Sequence, residues 1–127
     1  QTCAVCTDLG CVTPEVEAGV FGADLVLLEA NYDPKMLRCG PYPAALQARI
    51  RGEYGHLSNG DSAGMAEELI AHGTTRIVLG HLSEKNNTMP LAQQTVLEHL
   101  QEQGMRRNQD FLMQVASPEG LEQAVIF

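Results

Sequence analysis

The sequence predicts an α/β fold. Four short apolar runs alternate with stretches of helical periodicity, the connections between them are short, and two of the runs lead directly into a carboxylate. The runs are residues 4–7, 24–29, 75–79 and 111–116. A continuous apolar run is the pattern of a strand covered on both faces, as in parallel sheets wrapped by helices. The resulting order is strand, helix, strand, helix, helix, strand, helix, strand.

Residues 4–7 form the first strand, which ends at Asp8-Leu9-Gly10, where glycine permits a sharp turn. Thr13-Pro14-Glu15 opens a helix running to Phe21, with threonine as cap, proline in the first turn and an acid at the positive end of the dipole. Gly22 stops it. The strand at 24–29 ends on Glu29. Residues 31–43 hold three prolines and a glycine and read as an irregular excursion on the rim of a pocket, followed by a helix over 44–51. Ser58 with Asp61 three residues later caps a helix that reaches His72-Gly73. The strand at 75–79 delivers His81, and a polar loop over 83–88 leads to a helix over 90–103 with Leu91, Val96, Leu97 and Leu100 on one face. Residues 111–116 read as the last strand.

A chain of 127 residues fits one domain with a real core. With 44% hydrophobic and 19% charged residues it has the balance of a soluble globular protein, and no run is long enough to cross a bilayer. The net charge of -8 repels phosphate backbones unless bound cations reverse the local field. Arg49 with Arg51 and Arg106 with Arg107 are the only concentrated positive charge, and the second pair reads as a solvated turn. The chain opens at Gln1 with no methionine and no signal-peptide pattern, which reads as part of something longer. Its four cysteines, Cys3, Cys6, Cys11 and Cys39, are expected as reduced thiols, which places the protein in the cytoplasm.

Chemistry concentrates at four positions. Gly-His-Leu-Ser occurs twice, at residues 55–58 and 80–83, so His56 and His81 stand in matched contexts. His81 emerges where a strand ends, His56 just ahead of a helix, and Asp8 and Glu29 at the ends of two other strands, the edge of an α/β sheet where sites gather. Imidazole with carboxylate is a ligand set for zinc or manganese. Any one of these residues alone has an ordinary structural job, closing a turn or pairing at an edge; four in comparable places favour a metal site. His72, in a last helical turn, and His99, within a helix, read as structural. Cys3 and Cys6 have CxxC spacing, but a strand points them to opposite faces and no second pair exists. No phosphate-binding glycine loop or GxSxG elbow is present, so Ser58 and Ser83 read as caps.

Five segments, Thr7-Asp8-Leu9-Gly10, residues 28–33, Gly40-Pro41-Tyr42-Pro43, residues 55–59 and Gly80-His81-Leu82-Ser83, together resemble the metallo-β-lactamase-fold hydrolases, and within them the YycJ/WalJ-like group of bacterial exonucleases. The resemblance runs from Cys3 to Ala116. It implies the carboxyl-terminal half of an αββα sandwich, with residues 1–127 as one unit of it. It further implies that Asp8 bridges two divalent metal ions, zinc or manganese, that His81 is a metal ligand, and that Glu29 and His56 are catalytic residues supporting proton transfer near a scissile phosphate. The substrate it implies for the complete protein is nucleic acid. The group's main metal motif, His-x-His-x-Asp-His, is absent from these residues, so the isolated chain is expected to hold metal weakly, if at all, and to be inactive or nearly so.

Two other readings stay open on the sequence. The same fold hydrolyses small esters, thioesters and lactams, and fold alone does not choose among them. Alternatively the chain is a non-catalytic interaction module whose exposed face pairs with the missing amino-terminal half or with another copy.

Overall fold

The computed structural model describes residues 2–6, 14–52 and 55–116. Four parallel strands form one sheet in the order β1-β2-β3-β4: β1 (Cys3–Cys6), β2 (Leu25–Glu29), β3 (Arg76–Gly80) and β4 (Leu112–Val115). Spatial order equals chain order. Between the strands lie α1 (Pro14–Val20), then α2 (Pro34–Cys39), α3 (Ala44–Arg51) and α4 (Asn59–Ala71), and finally α5 (Met89–Glu102). The α/β class and the strand positions predicted from the sequence hold, with boundaries moved by a residue or so.

One element departs from the sequence reading. Residues 34–39, expected to be irregular, form α2, because Asp33 caps it by accepting from the Met36 N–H at 3.0 Å and Pro34 occupies the first turn. Proline there costs nothing, since that N–H has no helical partner in any case. Ser58 and Thr88 cap α4 and α5 in the same way, accepting from the main-chain N–H of Asp61 and Leu91. A cap of this kind is worth about 1 kcal/mol.

The register explains where the core lies. Ala4, Val26, Ile77 and Met113 stand side by side, as do Cys6, Leu28, Leu79 and Val115 two residues on, and Val26, Leu28, Ile77 and Leu79 are essentially inaccessible. Right-handed connections that march one way across a parallel sheet bring their helices to the same face. On this face Leu69 of α4 and Val96 and Leu100 of α5 complete one cluster with the strands. Residues of the alternate rows are less covered: Val5 is 66% and Leu112 42% exposed, whereas Val78 is buried. Part of the second sheet face is therefore apolar and open to solvent.

A smaller cluster of Tyr32, Leu37 and Ile50, with Tyr42 against it, ties α2 and α3 to the end of β2. Cys3, Cys6 and Cys39 are free thiols, with Cys3 exposed and Cys6 buried as strand alternation demands, and burial pushes the Cys6 thiol up from its ordinary value. Among the described residues no helix is long and apolar enough to cross a membrane.

Candidate metal centre

The site is built around the stretch of chain just beyond β2. Past Glu29 the backbone continues in an extended path, so that the main chain of residues 30–32 lies between two loops. On one side the Asn31 N–H donates to Leu57 O at 3.0 Å and the Asn59 N–H to Tyr32 O at 2.8 Å; on the other the Ala30 N–H donates to Gly80 O at 3.0 Å and the Ser83 N–H to Asn31 O at 2.8 Å. The two Gly-His-Leu-Ser segments thus flank the same short stretch, and both histidines face the residue just before it. That residue is Glu29.

Glu29 is fully buried. Its Oε1 accepts the Leu57 N–H at 3.2 Å, while its Oε2 faces both imidazoles: His56 Nδ1 lies 2.8 Å away and His81 Nδ1 is in hydrogen-bond contact with the same oxygen. The Ser62 hydroxyl donates to the Glu29 main-chain carbonyl and fixes the backbone beneath. The two rings are 5.2 Å apart between centroids and tilted by 54°. With side chains 30% and 44% exposed, His56 and His81 reach solvent while the carboxylate does not.

Glu29, His56 and His81 form a cluster that could hold a metal ion, with one ligand atom from each lying within 4.8 Å of the others. The donor chemistry indicates how. Two ligands on a tetrahedral ion, each at about 2.0–2.1 Å, stand about 3.3 Å apart, farther than His56 Nδ1 is from Glu29 Oε2. Those contacts are hydrogen bonds, and an oxygen that accepts from Nδ1–H leaves the ring's lone pair on Nε2. A carboxylate behind an imidazole in this way sets its tautomer and orientation and makes it a better ligand. The residues fit a metal carried on Nε2, with Glu29 orienting the rings.

The two loops are held by different means. Gly55 passes so close to the end of α3 that a Cβ there would meet Ile50 O at 2.1 Å and Arg49 O at 2.4 Å, so only glycine brings His56 into place. His81 instead adopts a left-handed backbone, φ 57°, which a residue with a Cβ seldom takes without support. The support is Asn31, whose Nδ2 donates to His81 O at 2.7 Å while its own carbonyl accepts the Ser83 N–H. Deeper still, Asn59 and Asn87 exchange amide hydrogen bonds at 2.9 and 2.8 Å, and Asn87 also donates to Ala30 O at 2.8 Å.

Of the site residues expected from the sequence, Glu29, His56 and His81 come together; Asp8 lies outside the described residues. His72 and His99 stand elsewhere, the first stacked on Phe21 at 3.9 Å and bonded to Glu68 O, the second paired with Glu67 at 2.7 Å between α5 and α4. Sequence reasoning gave no role to Asn31, Asn59 or Asn87. Their signal was position, Asn31 just after Glu29, Asn59 after the first histidine loop and Asn87 after the second, since an asparagine amide bonds neighbouring main chain readily. Nearby, burial and the charge of Asp61 push the Tyr32 phenol up, against a smaller opposing effect of Arg51.

A groove of about 600 Å³ opens beside the two histidines, lined by Tyr42, Leu46, Arg49 and Ile50 from the α3 side and by residues 82–85 of the loop after β3.

The chain is similar to exodeoxyribonuclease WalJ from Streptococcus pneumoniae serotype 2 (strain D39 / NCTC 7466), 38% identical over 113 residues that make up 89% of this chain and 42% of that protein. WalJ from S. pneumoniae strain ATCC BAA-255 / R6 matches to the same extent. Exodeoxyribonuclease YycJ from Bacillus anthracis is 34% identical over 116 residues, 91% of this chain and 44% of that protein. The resemblance to the YycJ/WalJ-like exonucleases therefore spans nine-tenths of the chain, and the chain spans less than half the length of these curated relatives. No family model and no solved structure matches it.

Proposed function

We propose that this chain carries the carboxyl-terminal half of the active centre of a metallo-β-lactamase-fold exodeoxyribonuclease. The observation that carries the reading is the pair of imidazoles converging on one oxygen of the buried Glu29 at the carboxyl edge of a parallel sheet. The names and coverage of the WalJ and YycJ relatives support the choice of DNA as substrate. The partly exposed apolar rows around Val5 and Leu112 suit a sheet that packs against another layer, as an αββα sandwich requires.

In this reading Asp8 and His81 hold the metal, zinc or manganese, together with ligands from the amino-terminal half. Bound divalent cations lower the pKa of water and neutralise charge on the phosphorus centre. His56, held by Glu29, lines the groove, where its imidazolium would donate a proton to the leaving oxygen as the P–O bond breaks. Glu29 keeps both rings in one tautomer and stabilises whichever ring is cationic. Leu57 N–H and Ser62 keep Glu29 in place.

The test is exonuclease activity of the full-length protein, with its amino-terminal half, on end-labelled DNA with added zinc or manganese. His56→Ala is expected to lower kcat by about 10²–10⁴-fold and to remove one limb of the pH-rate profile, while Asp8→Ala and His81→Ala abolish metal-dependent turnover. Wild-type turnover in the Asp8 and His81 variants would defeat the assignment.

A further inference from the structure

We infer that the groove beside His56 and His81 seats one nucleotide of a single DNA strand, with Arg49 and Lys85 on its phosphate and Tyr42 and Leu46 against its base. The inference rests on the nuclease reading for the identity of the strand, but its evidence is the composition of the groove. Leu46, Arg49 and Ile50 stand at helical spacings of three and four, so α3 turns one face to it. Ile50 anchors that face in the small core, whereas Leu46 is 39% exposed and belongs to no buried cluster, an apolar side chain left at a groove wall. Tyr42 packs partly on the same small core and also lines the groove.

The charge is equally local. The chain has 16 acidic residues against 8 Lys and Arg, yet among the described lining residues of this groove two are Lys or Arg and one, Glu84, is acidic. The ion pairs found among the described residues involve neither Arg49 nor Lys85. Cations held near solvent beside an aromatic ring and two imidazoles suit an anion attached to a flat apolar body. A nucleotide is such a ligand, and about 600 Å³ falls within the roughly 300–1,000 Å³ of small-ligand sites. Single-stranded binding fits better than duplex binding, because a base must leave its stack to lie on Tyr42.

The experiment measures binding without cleavage, by fluorescence anisotropy of a labelled oligothymidylate with the chain in EDTA across a range of salt. Arg49→Glu with Lys85→Glu is expected to weaken binding at least about tenfold and to lower the slope of log affinity against log salt by about 0.7, the value for one phosphate contact on a single strand. Tyr42→Ala is expected to weaken binding by about 5- to 150-fold with the slope unchanged. Glu84→Gln should tighten it. Arg49→Lys, which keeps the charge, should leave the slope as in the wild type, and thermal melting of each variant checks that the fold is retained. An unaltered slope in the folded double variant, or no oligonucleotide binding by the wild type, overturns the proposal. Metal-dependent cleavage is read separately in the full-length protein: a strand bound through Arg49 and Lys85 but never cut there would sink the nuclease reading alone, whereas cutting with an unaltered KM in the double variant would sink the nucleotide seat alone.

Discussion

Replacing Glu29 by glutamine tests the central geometry, because the substitution keeps the shape and changes only which atoms donate. The glutamine oxygen in the place of Oε1 still accepts the Leu57 N–H, 3.2 Å away in the wild type. Its amide nitrogen then stands where Oε2 accepts from both imidazoles, and its two hydrogens face the two Nδ1 atoms. Both rings must answer by accepting at Nδ1, which moves their protons to Nε2 and removes the lone pair with which His81 would carry a metal. The three hydrogen bonds named here keep their partners, so their rearrangement should cost only about 1–2 kcal/mol of folding stability. Loss of the partner that orients a metal-binding imidazole costs about 10–100-fold in metal affinity, or about 1.4–2.8 kcal/mol. His81 is the ring that would hold the metal, so the loss expected is that of one ligand. Zinc competition against a chromophoric chelator measures the affinity, and ¹⁵N NMR of the imidazoles reports the tautomers. Zinc affinity within about twofold of the wild type, with the ring protons still on Nδ1, would refute the argument that Glu29 works through the histidines.

Three further expectations arise from the same structure. Asn31→Ala removes the donor that holds the His81 carbonyl and should cost about 1–3 kcal/mol in urea denaturation; a loss below about 0.5 kcal/mol would show that the left-handed turn at His81 supports itself. Tyr32 has a folded-state pKa raised above its ordinary 10.0, so its contribution is complete below that value and is lost as pH rises through the folded one. Tyr32→Phe should therefore lose less stability than the wild type between about pH 9 and about pH 11, and parallel urea midpoints for the two proteins would contradict this. Iodoacetamide at neutral pH should label Cys3 and Cys39 but not Cys6, which is buried and held as the thiol, until urea opens the core. Peptide mapping that finds Cys6 alkylated in the native protein would place β1 wrongly.

The sheet and the strand-end positions of Glu29 and His81 were readable in the sequence for different reasons. Val26, Leu28, Ile77 and Leu79 stand in uninterrupted apolar runs, and such runs have few folded solutions in a short α/β chain. Glu29 and His81 could be placed at strand ends because strands have a direction and an end. What could not be read was contact. The spacing between His56 and His81 says nothing of a shared oxygen, which depends on residues 30–32 lying between the two loops through long-range main-chain hydrogen bonds that no local pattern announces. α2 was hidden because proline marks a helix start as readily as a break, and only the Asp33 cap tells the two apart. The matched tetrapeptides also promised more symmetry than the molecule has: one glycine admits a crowded backbone, whereas the other would press a Cβ only on the tip of Leu27 at 3.0 Å.

Because His56 and His81 lean on one and the same oxygen, they are thermodynamically a single object with two ends. Moving either ring changes what the other is bonded to, so paired substitutions there should be strongly non-additive. Any route by which such a centre is acquired or dismantled is steep, since intermediate forms with one imidazole keep a buried acid without its second donor. Weakening at one imidazole is therefore shared by the other, so the two lose function as a pair rather than ring by ring.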